Sequence, residues 1–208
     1  MSERHAKVEL LWIPLGAGGT PVVRWSGRAY EALAAHAQHR PAQPLFHSAL
    51  EVQDGLDRYV IEMTPAWSGH EAGRGVTAEG AVGSRVLGRS ALFRYEVRCW
   101  LDGRIPDRAY AVGGPVEVET DAARVAELLR LVPRVPPTVW GRDELRTGEM
   151  WNSNSVVSWL LVASGHHVDD VTPPRGGRAP GWTAGRIVGE REHLDLRDAP
   201  GFTVSVGR

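Results

Sequence analysis

The sequence predicts a single domain of the α+β class. Its 208 residues, of which 42% are hydrophobic and 24% charged, are enough to bury one substantial core. Helical patterns stand towards both ends of the chain, and most strand patterns lie between them without regular alternation of strand and helix. That order favours the α+β class. The sequence shows no internal repeat and no dividing linker, so we expect one domain over residues 1–208.

Strand patterns dominate the first third of the chain. Alternating apolar residues predict strands at residues 8–15, 21–25, 45–52 and 58–63. Ser26 is expected to cap a helix that ends before Pro41. The Asp54-Gly55 pair between the last two strands predicts a hairpin turn.

The middle and end of the chain are less regular. Residues 67–88 are rich in glycine and weakly patterned, which predicts a long loop. Further short strands are expected at residues 91–101 and 116–119. Thr120 or Asp121 should cap an amphipathic helix that ends at Pro133. A Pro/Gly/Arg loop is expected at 173–182, followed by short apolar stretches at 186–188 and 202–206.

The segment from Trp151 to Leu161 is the most informative part of the chain. Its polar beginning, Asn152-Ser153-Asn154-Ser155, contains good helix N-cap residues. The residues that follow are apolar on most of the helical wheel, so we expect a buried helix that Gly165 ends. Several hydrolase folds hold their nucleophile on a small hydroxyl residue at the start of such a helix, which makes Ser153 a candidate.

Charge and composition narrow the choice of partners. The formal net charge is −1, which does not favour electrostatic capture of nucleic acid or of an anionic membrane surface. No apolar run approaches the roughly 20 residues that cross a bilayer. Residues 1–19 lack a clean signal-peptide cleavage site, and Glu9 interrupts their apolar run. We therefore expect a cytoplasmic protein with no nucleic-acid or membrane partner.

Cysteine and histidine chemistry yields one candidate. The single cysteine, Cys99, lies on the apolar face of a predicted strand and is expected to be a buried thiol. His36 and His39 share a helix face but have no third ligand beside them, so we expect no metal and no cofactor. His47 stands within an apolar strand between Phe46 and Ser48, where it is either a core histidine with one hydrogen bond or a general base.

Two motifs together resemble the circularly permuted papain-like superfamily. They are the strand His47-Ser-Ala-Leu-Glu-Val52 and the later segment that begins Trp151-Asn-Ser-Asn-Ser. The closest likeness is to the PPPDE group, which includes the desumoylating isopeptidases, and the lecithin-retinol-acyltransferase-like proteins are more distant. That group carries an H-x-x-I/L-x-V strand before an N-C-N-[ST]-F helix start. The likeness implies a papain-like core over about residues 45–165, with a curved antiparallel sheet packed on the central helix.

The resemblance also implies roles for individual residues. Ser153 stands where the family has its nucleophilic cysteine, and His47 matches the family's histidine. Asn152 and Asn154 match the flanking asparagines and would position the helix start or stabilise an oxyanion. A serine hydroxyl cannot be ionised by a helix N-terminus near neutral pH, so Ser153 would need His47 to remove its proton.

The sequence offers three carboxylates as the third member of such a site. Glu62, on the strand after His47, is the best-placed carboxylate by order, with Glu51 and Asp54 as alternatives. The implied activity is a hydrolase or acyltransferase acting on an amide, ester or thioester of a peptide or small molecule. The alternative is a catalytically inactive papain-like fold that binds a peptide or small ligand.

Three further residues are candidates for substrate binding. Trp151 would line a pocket next to Ser153. Arg178 and Trp182, in the Pro/Gly/Arg loop, offer a carboxylate- or phosphate-binding fork and a stacking face. In the structural interpretation, the loop's glycines and prolines only set turns and Arg178 stays solvated.

Overall fold

The fold is built on an open antiparallel sheet. The structure is a computed structural model that describes residues 5–17, 21–66, 73, 75–119 and 121–198. Within these residues the strands are β1 (Ala6–Pro14), β2 (Phe46–Asp54), β3 (Asp57–Pro65), β4 (Val76–Ala81), β5 (Arg94–Leu101) and β6 (Val116–Glu119). The helices are α1 (Pro21–Ala37), α2 (Ala122–Leu131), α3 (Ser153–Ala163) and α4 (Trp182–Asp198). The strand order is β4-β5-β3-β2-β1-β6. The predicted α+β class is confirmed.

The two faces of the sheet carry different side chains. On the first face, which packs against α2 and α3, lie the buried side chains of Val8, Leu10, Trp12, Leu50, Val52, Ile61 and Val97. On the second face, a smaller cluster contains Leu11, Ile13, Ala49, Val60 and Ile105. Successive residues of a strand point to opposite faces, so β1, β2 and β3 contribute to both clusters.

Helix α3 is buried on all sides, as its composition predicts. Every residue of the helix except Val162 is buried. The helix ends at Ala163, two residues before Gly165, whose φ of 83° is in the left-handed region that favours glycine after a helix. The α2 cap is also confirmed, because Asp121 Oδ1 accepts a hydrogen bond from the Arg124 N–H at 2.9 Å. Thr120, the alternative cap, lies outside the described residues.

Helix α4 packs closely on α3 through glycines. A Cβ atom at Gly185 would stand 2.0 Å from Ser158 Oγ, and one at Gly189 would stand 2.9 Å from Val162 Cβ. The close approach allows Ser158 Oγ to donate a hydrogen bond to Trp182 O at 2.8 Å. A polar side chain on a fully buried helix is thereby satisfied.

Several predicted elements differ from the structure. The predicted strand at 21–25 is the start of α1, because Pro21 occupies a first helical position, where its missing N–H costs nothing. The predicted loop at 67–88 contains β4, whose Gly80 is needed because a Cβ there would lie 2.4 Å from the Tyr95 ring. The strand predicted from residue 91 begins at Arg94. The stretch at 186–188 belongs to α4, and residues 202–206 lie outside the described part.

None of the helices in the described part of the chain has the length and apolar character required to cross a membrane.

Candidate functional site

The start of α3 is built as a capping box. Asn152 is the N-cap, and its Oδ1 accepts hydrogen bonds from the backbone N–H groups of Asn154 at 2.9 Å and Ser155 at 3.3 Å. Ser155 Oγ accepts in return from the Asn152 N–H at 3.1 Å. Three backbone N–H groups at the helix start are thus satisfied, and the bonds between Asn152 and Ser155 are reciprocal. Ser153, the first residue of the helix, stands between these partners.

Asn154 ties the helix start to strand β2. Its Oδ1 accepts a hydrogen bond from Ser48 Oγ at 2.9 Å, and its Nδ2 donates to Phe46 O at 3.0 Å. The same Nδ2 donates to Pro180 O at 2.9 Å. Asn154 therefore bonds the residues on both sides of His47. Because both N–H groups of its amide are engaged, Asn154 positions the helix and has no free donor for an oxyanion.

Asn152 is bound less completely. Its Nδ2 donates one hydrogen bond, to Pro180 O at 2.8 Å. An amide nitrogen carries two hydrogens, so a second donor remains. This donor and the backbone N–H of Ser153 are the candidate donors at the helix start.

His47 is bonded to Asp107. Its Nε2 lies 3.0 Å from Asp107 Oδ2, and the two side chains are 22% and 20% exposed. A neutral ring that donates from Nε2 to a carboxylate presents Nδ1 as an acceptor. Among the described residues, Nδ1 has no hydrogen-bond partner. The ring is therefore oriented by a carboxylate on one nitrogen and is open on the other.

Ser153 makes no side-chain hydrogen bond to any described residue, His47 included, although it is only 5% exposed. Asn154, which follows Ser153 in the chain, is hydrogen-bonded to Phe46 and Ser48, the two neighbours of His47. Phe46 and Ser48 face α3, so the side chain of His47 points to the second face by strand alternation. As the second residue of β2, His47 lies at the rim of the sheet.

Glu62, the carboxylate expected to orient His47, is bonded elsewhere. Its Oε1 accepts from Arg98 Nη1 at 3.4 Å, and Arg98 Nε donates to Glu96 Oε2 at 3.0 Å. Burial raises the pKa of Glu62, and the Arg98 charge opposes that rise. The alternative Glu51 is paired with Arg108, and Asp54 ends β2. Asp107 was missed because it lies 60 residues after His47, in an irregular segment with no local signal.

Arg178 is part of an ion-pair network rather than a free anion-binding group. Its Nη1 lies 3.3 Å from Glu31 Oε2, and the buried Glu31 also accepts from the Gln43 N–H at 2.8 Å and from Arg40. The Arg178 backbone pairs in parallel with the residues at the start of β2, since its carbonyl accepts from the Phe46 N–H at 2.8 Å. The Pro/Gly/Arg loop is thus attached to the start of β2.

The two predicted substrate-binding tryptophans are core residues. Trp151 is 2% exposed and Trp182 is 8% exposed. Trp182 packs against Trp12 with ring centroids 5.0 Å apart. The indole N–H groups of all three have no hydrogen-bond partner among the described residues. Neither tryptophan presents an open stacking face.

The remaining candidates are weaker. Burial raises the pKa of Cys99 to about 11, which keeps its thiol protonated at neutral pH. No cluster of three or more His, Cys, Asp or Glu side chains suited to a metal occurs in the part of the chain that the structure describes. Two open cavities, of about 440 and 260 Å³, both border Arg85 and Val139 and lie away from His47 and Ser153.

Comparisons with protein-family models, curated proteins and solved structures found no match to this chain. The resemblance to the PPPDE group therefore stays a prediction that the two sequence motifs carry.

Proposed function

We propose that the chain is a serine-dependent hydrolase or acyltransferase acting on an amide, ester or thioester of a peptide or small molecule. Ser153 is the nucleophile, His47 the general base, and Asp107 the carboxylate that orients the base. This assignment replaces Glu62 by Asp107 and keeps the two residues matched by sequence. No cofactor is required, and the proposal includes a cytoplasmic location.

The hydrogen bond between His47 Nε2 and Asp107 Oδ2, 3.0 Å long, carries the proposal. A carboxylate on one ring nitrogen fixes the tautomer and stabilises the imidazolium that forms when the other nitrogen takes a proton. The unengaged hydroxyl of Ser153 is the proposed nucleophile. Ser153 begins the helix that Asn154 fixes to the backbone on both sides of His47, while the His47 side chain itself points to the other face of the sheet.

The chemistry proceeds in two steps. Ser153 Oγ attacks the substrate carbonyl carbon while its proton passes to His47 Nδ1, and the N–H groups of Ser153 and Asn152 Nδ2 stabilise the oxyanion. The carbonyl re-forms, and the leaving group departs with the proton from His47. Water or an acceptor nucleophile then attacks the acyl-serine ester and loses its proton to His47. The ester bond to Oγ breaks as His47 returns that proton to Ser153. This requires Ser153 Oγ to come within about 3 Å of Nδ1 around the rim of the sheet.

A binding protein without catalysis is the second candidate. The 5% exposure of Ser153 favours it, because a nucleophile must be reached by its substrate. Under this alternative, Asn152 and Asn154 only hold α3 against β2, and a peptide or small ligand binds without a covalent step.

Labelling with a fluorophosphonate probe separates the two functions. Under the enzyme proposal, the probe modifies Ser153, and labelling is lost in Ser153→Ala and falls strongly in His47→Ala. Ser90→Ala is the matched control, since Ser90 is an exposed serine outside the site. A folded wild-type protein that the probe never modifies at Ser153 would reject the enzyme proposal and favour the binding protein.

A further inference from the structure

We propose that Glu51 and Arg108 form a clamp that positions Asp107 against His47. Its catalytic consequence rests on the proposed function, whereas its structural consequence, the orientation of the His47 ring, does not. The clamp lies beside the acid–base pair, because His47 and Glu51 on β2 face the consecutive residues Asp107 and Arg108.

The spacing along β2 makes the arrangement specific. His47 and Glu51 are four residues apart and therefore point to the same face, at a separation of about 13 Å along an extended strand. Asp107 and Arg108 are neighbours, whose Cα atoms are about 3.8 Å apart. Their side chains must diverge along the strand to make both contacts. The short Asp107 reaches towards the strand start, and the long Arg108 reaches towards the strand end.

The contact between Arg108 and Glu51 is a two-pronged one. Arg108 Nε donates to Glu51 Oε1 at 2.7 Å, and Nη2 donates to Oε2 at 2.9 Å. Parallel hydrogen bonds of this kind fix the guanidinium in one plane and one direction. A lysine in the same place would supply the charge without the orientation. Arg108 therefore fixes the position of the backbone from which Asp107 projects.

The charge environment explains why Arg108 is held there. Glu51 is 8% exposed and lies directly across from Glu9 of β1 in the strand register. Like charges directly opposite each other are unfavourable, and a buried carboxylate is costly without a partner. Lys7 neutralises Glu9 at 2.8 Å, and Arg108 neutralises Glu51. Releasing Arg108 would leave Glu51, among the described residues, with the longer 3.7 Å contact to Arg58 Nη1.

Other contacts attach both ends of the segment that carries Asp107, residues 103–112, to the sheet. Arg58 Nη2 donates to Gly103 O at 2.6 Å, and the Val112 N–H donates to Trp12 O at 2.9 Å. Ile105 is buried in the second-face cluster. Loss of the clamp should therefore leave the segment attached to the sheet and change only how Asp107 is presented to His47.

Arg108→Lys and Glu51→Gln test the clamp. Arg130→Lys is the matched control, because Arg130 makes the same two-pronged contact with Glu127 on the exposed face of α2. Nitrogen-15 NMR of the histidine ring reports which nitrogen of His47 carries the proton. We expect the Nε2–H form to dominate in the wild type and in the control, and to give way to a mixture of tautomers in both clamp variants. Thermal unfolding verifies that each variant is folded.

The rate of fluorophosphonate labelling is the second readout. Misplacement of an orienting group by about 1 Å can cost up to about 100-fold in rate, so we expect a loss of roughly tenfold or more in both variants. Folded clamp variants whose His47 tautomer is unchanged would overturn the proposal, whatever their labelling rate. A wild type that is never labelled would reject the hydrolase alone, and the NMR result would still decide the clamp.

Discussion

Ser48 of β2 donates its hydroxyl hydrogen to Asn154 Oδ1 of α3 across 2.9 Å, although 106 positions separate the two residues in the chain. This contact and the bond from Asn154 Nδ2 to Phe46 O fix the start of the buried helix on the sheet. The geometry of the proposed site depends on it, because Ser153 and His47 are the immediate neighbours of the bonded residues.

Asn154→Ala should lower the stability of the fold more than Ser48→Ala. The first change leaves the Ser48 hydroxyl and the Phe46 carbonyl without their partner, and each unsatisfied buried group costs about 1–3 kcal/mol. The second leaves one buried group, Asn154 Oδ1, without its partner, so its cost should be about half as large. Urea unfolding measures both free energies. Equal losses in the two variants would contradict the clamping role of Asn154.

Asp107→Asn should remove most of the probe reactivity without unfolding the protein. The amide has the same shape as the carboxylate, but its N–H group would favour the wrong tautomer of His47 and could not stabilise the imidazolium. A comparable change in a serine protease triad lowers the rate by about 10⁴-fold. Labelling rates of Asp107→Asn and Glu62→Gln should be compared. A larger loss in Glu62→Gln would restore Glu62 as the orienting residue.

Gly185→Ala should destabilise the protein by about 1–3 kcal/mol, as expected for overpacking. The added methyl would stand 2.0 Å from Ser158 Oγ and 2.1 Å from Ser155 O, and the latter is rigid backbone. Gly27→Ala is the matched control, because its new contact at 2.5 Å is with the end of the flexible Leu15 side chain. Thermal unfolding should show a clear drop in Tm for the first and a smaller change for the second. A tolerated Gly185→Ala would mean that α3 and α4 can move apart.

The free energy of unfolding should fall as the pH rises from about 9 to about 11. Burial raises the pKa of Cys99 from its ordinary value of 9.0 to about 11 in the folded protein. A group whose folded pKa is raised contributes stability below its unfolded pKa and loses that contribution as the pH passes its folded pKa. Cys99→Ala should flatten the profile in this window, as measured by urea unfolding at each pH. Tyr95, whose pKa burial raises to about 12, and Tyr30, whose pKa burial also raises, would contribute to the slope that remains.

The sequence predicts the class, the buried helix and its cap, because these depend on local chemistry. Asn152 and the apolar run after it suffice to place α3. It does not predict β4, because Gly80 looks like a loop residue until the Tyr95 ring of the neighbouring strand is known. The sequence also predicts Glu62, not Asp107, as the carboxylate that orients His47. Order along the chain does not indicate which irregular segment lies across the sheet beside His47. The sequence leaves Arg178 either as an anion-binding group or as a solvated side chain, and only the folded chain pairs it with Glu31.

Strand β2 carries two kinds of residue in strict alternation, with Phe46 and Ser48 bound to α3 and His47 and Glu51 facing the segment that holds Asp107. Insertion or deletion of one residue near its start would turn every side chain beyond that point to the opposite face. Such a change would lose the helix anchor and the acid–base pair together. Single substitutions in β2 can therefore separate the helix anchor from the acid–base pair, whereas changes in its length cannot. This strand should be among the parts of the chain least tolerant of insertions and deletions.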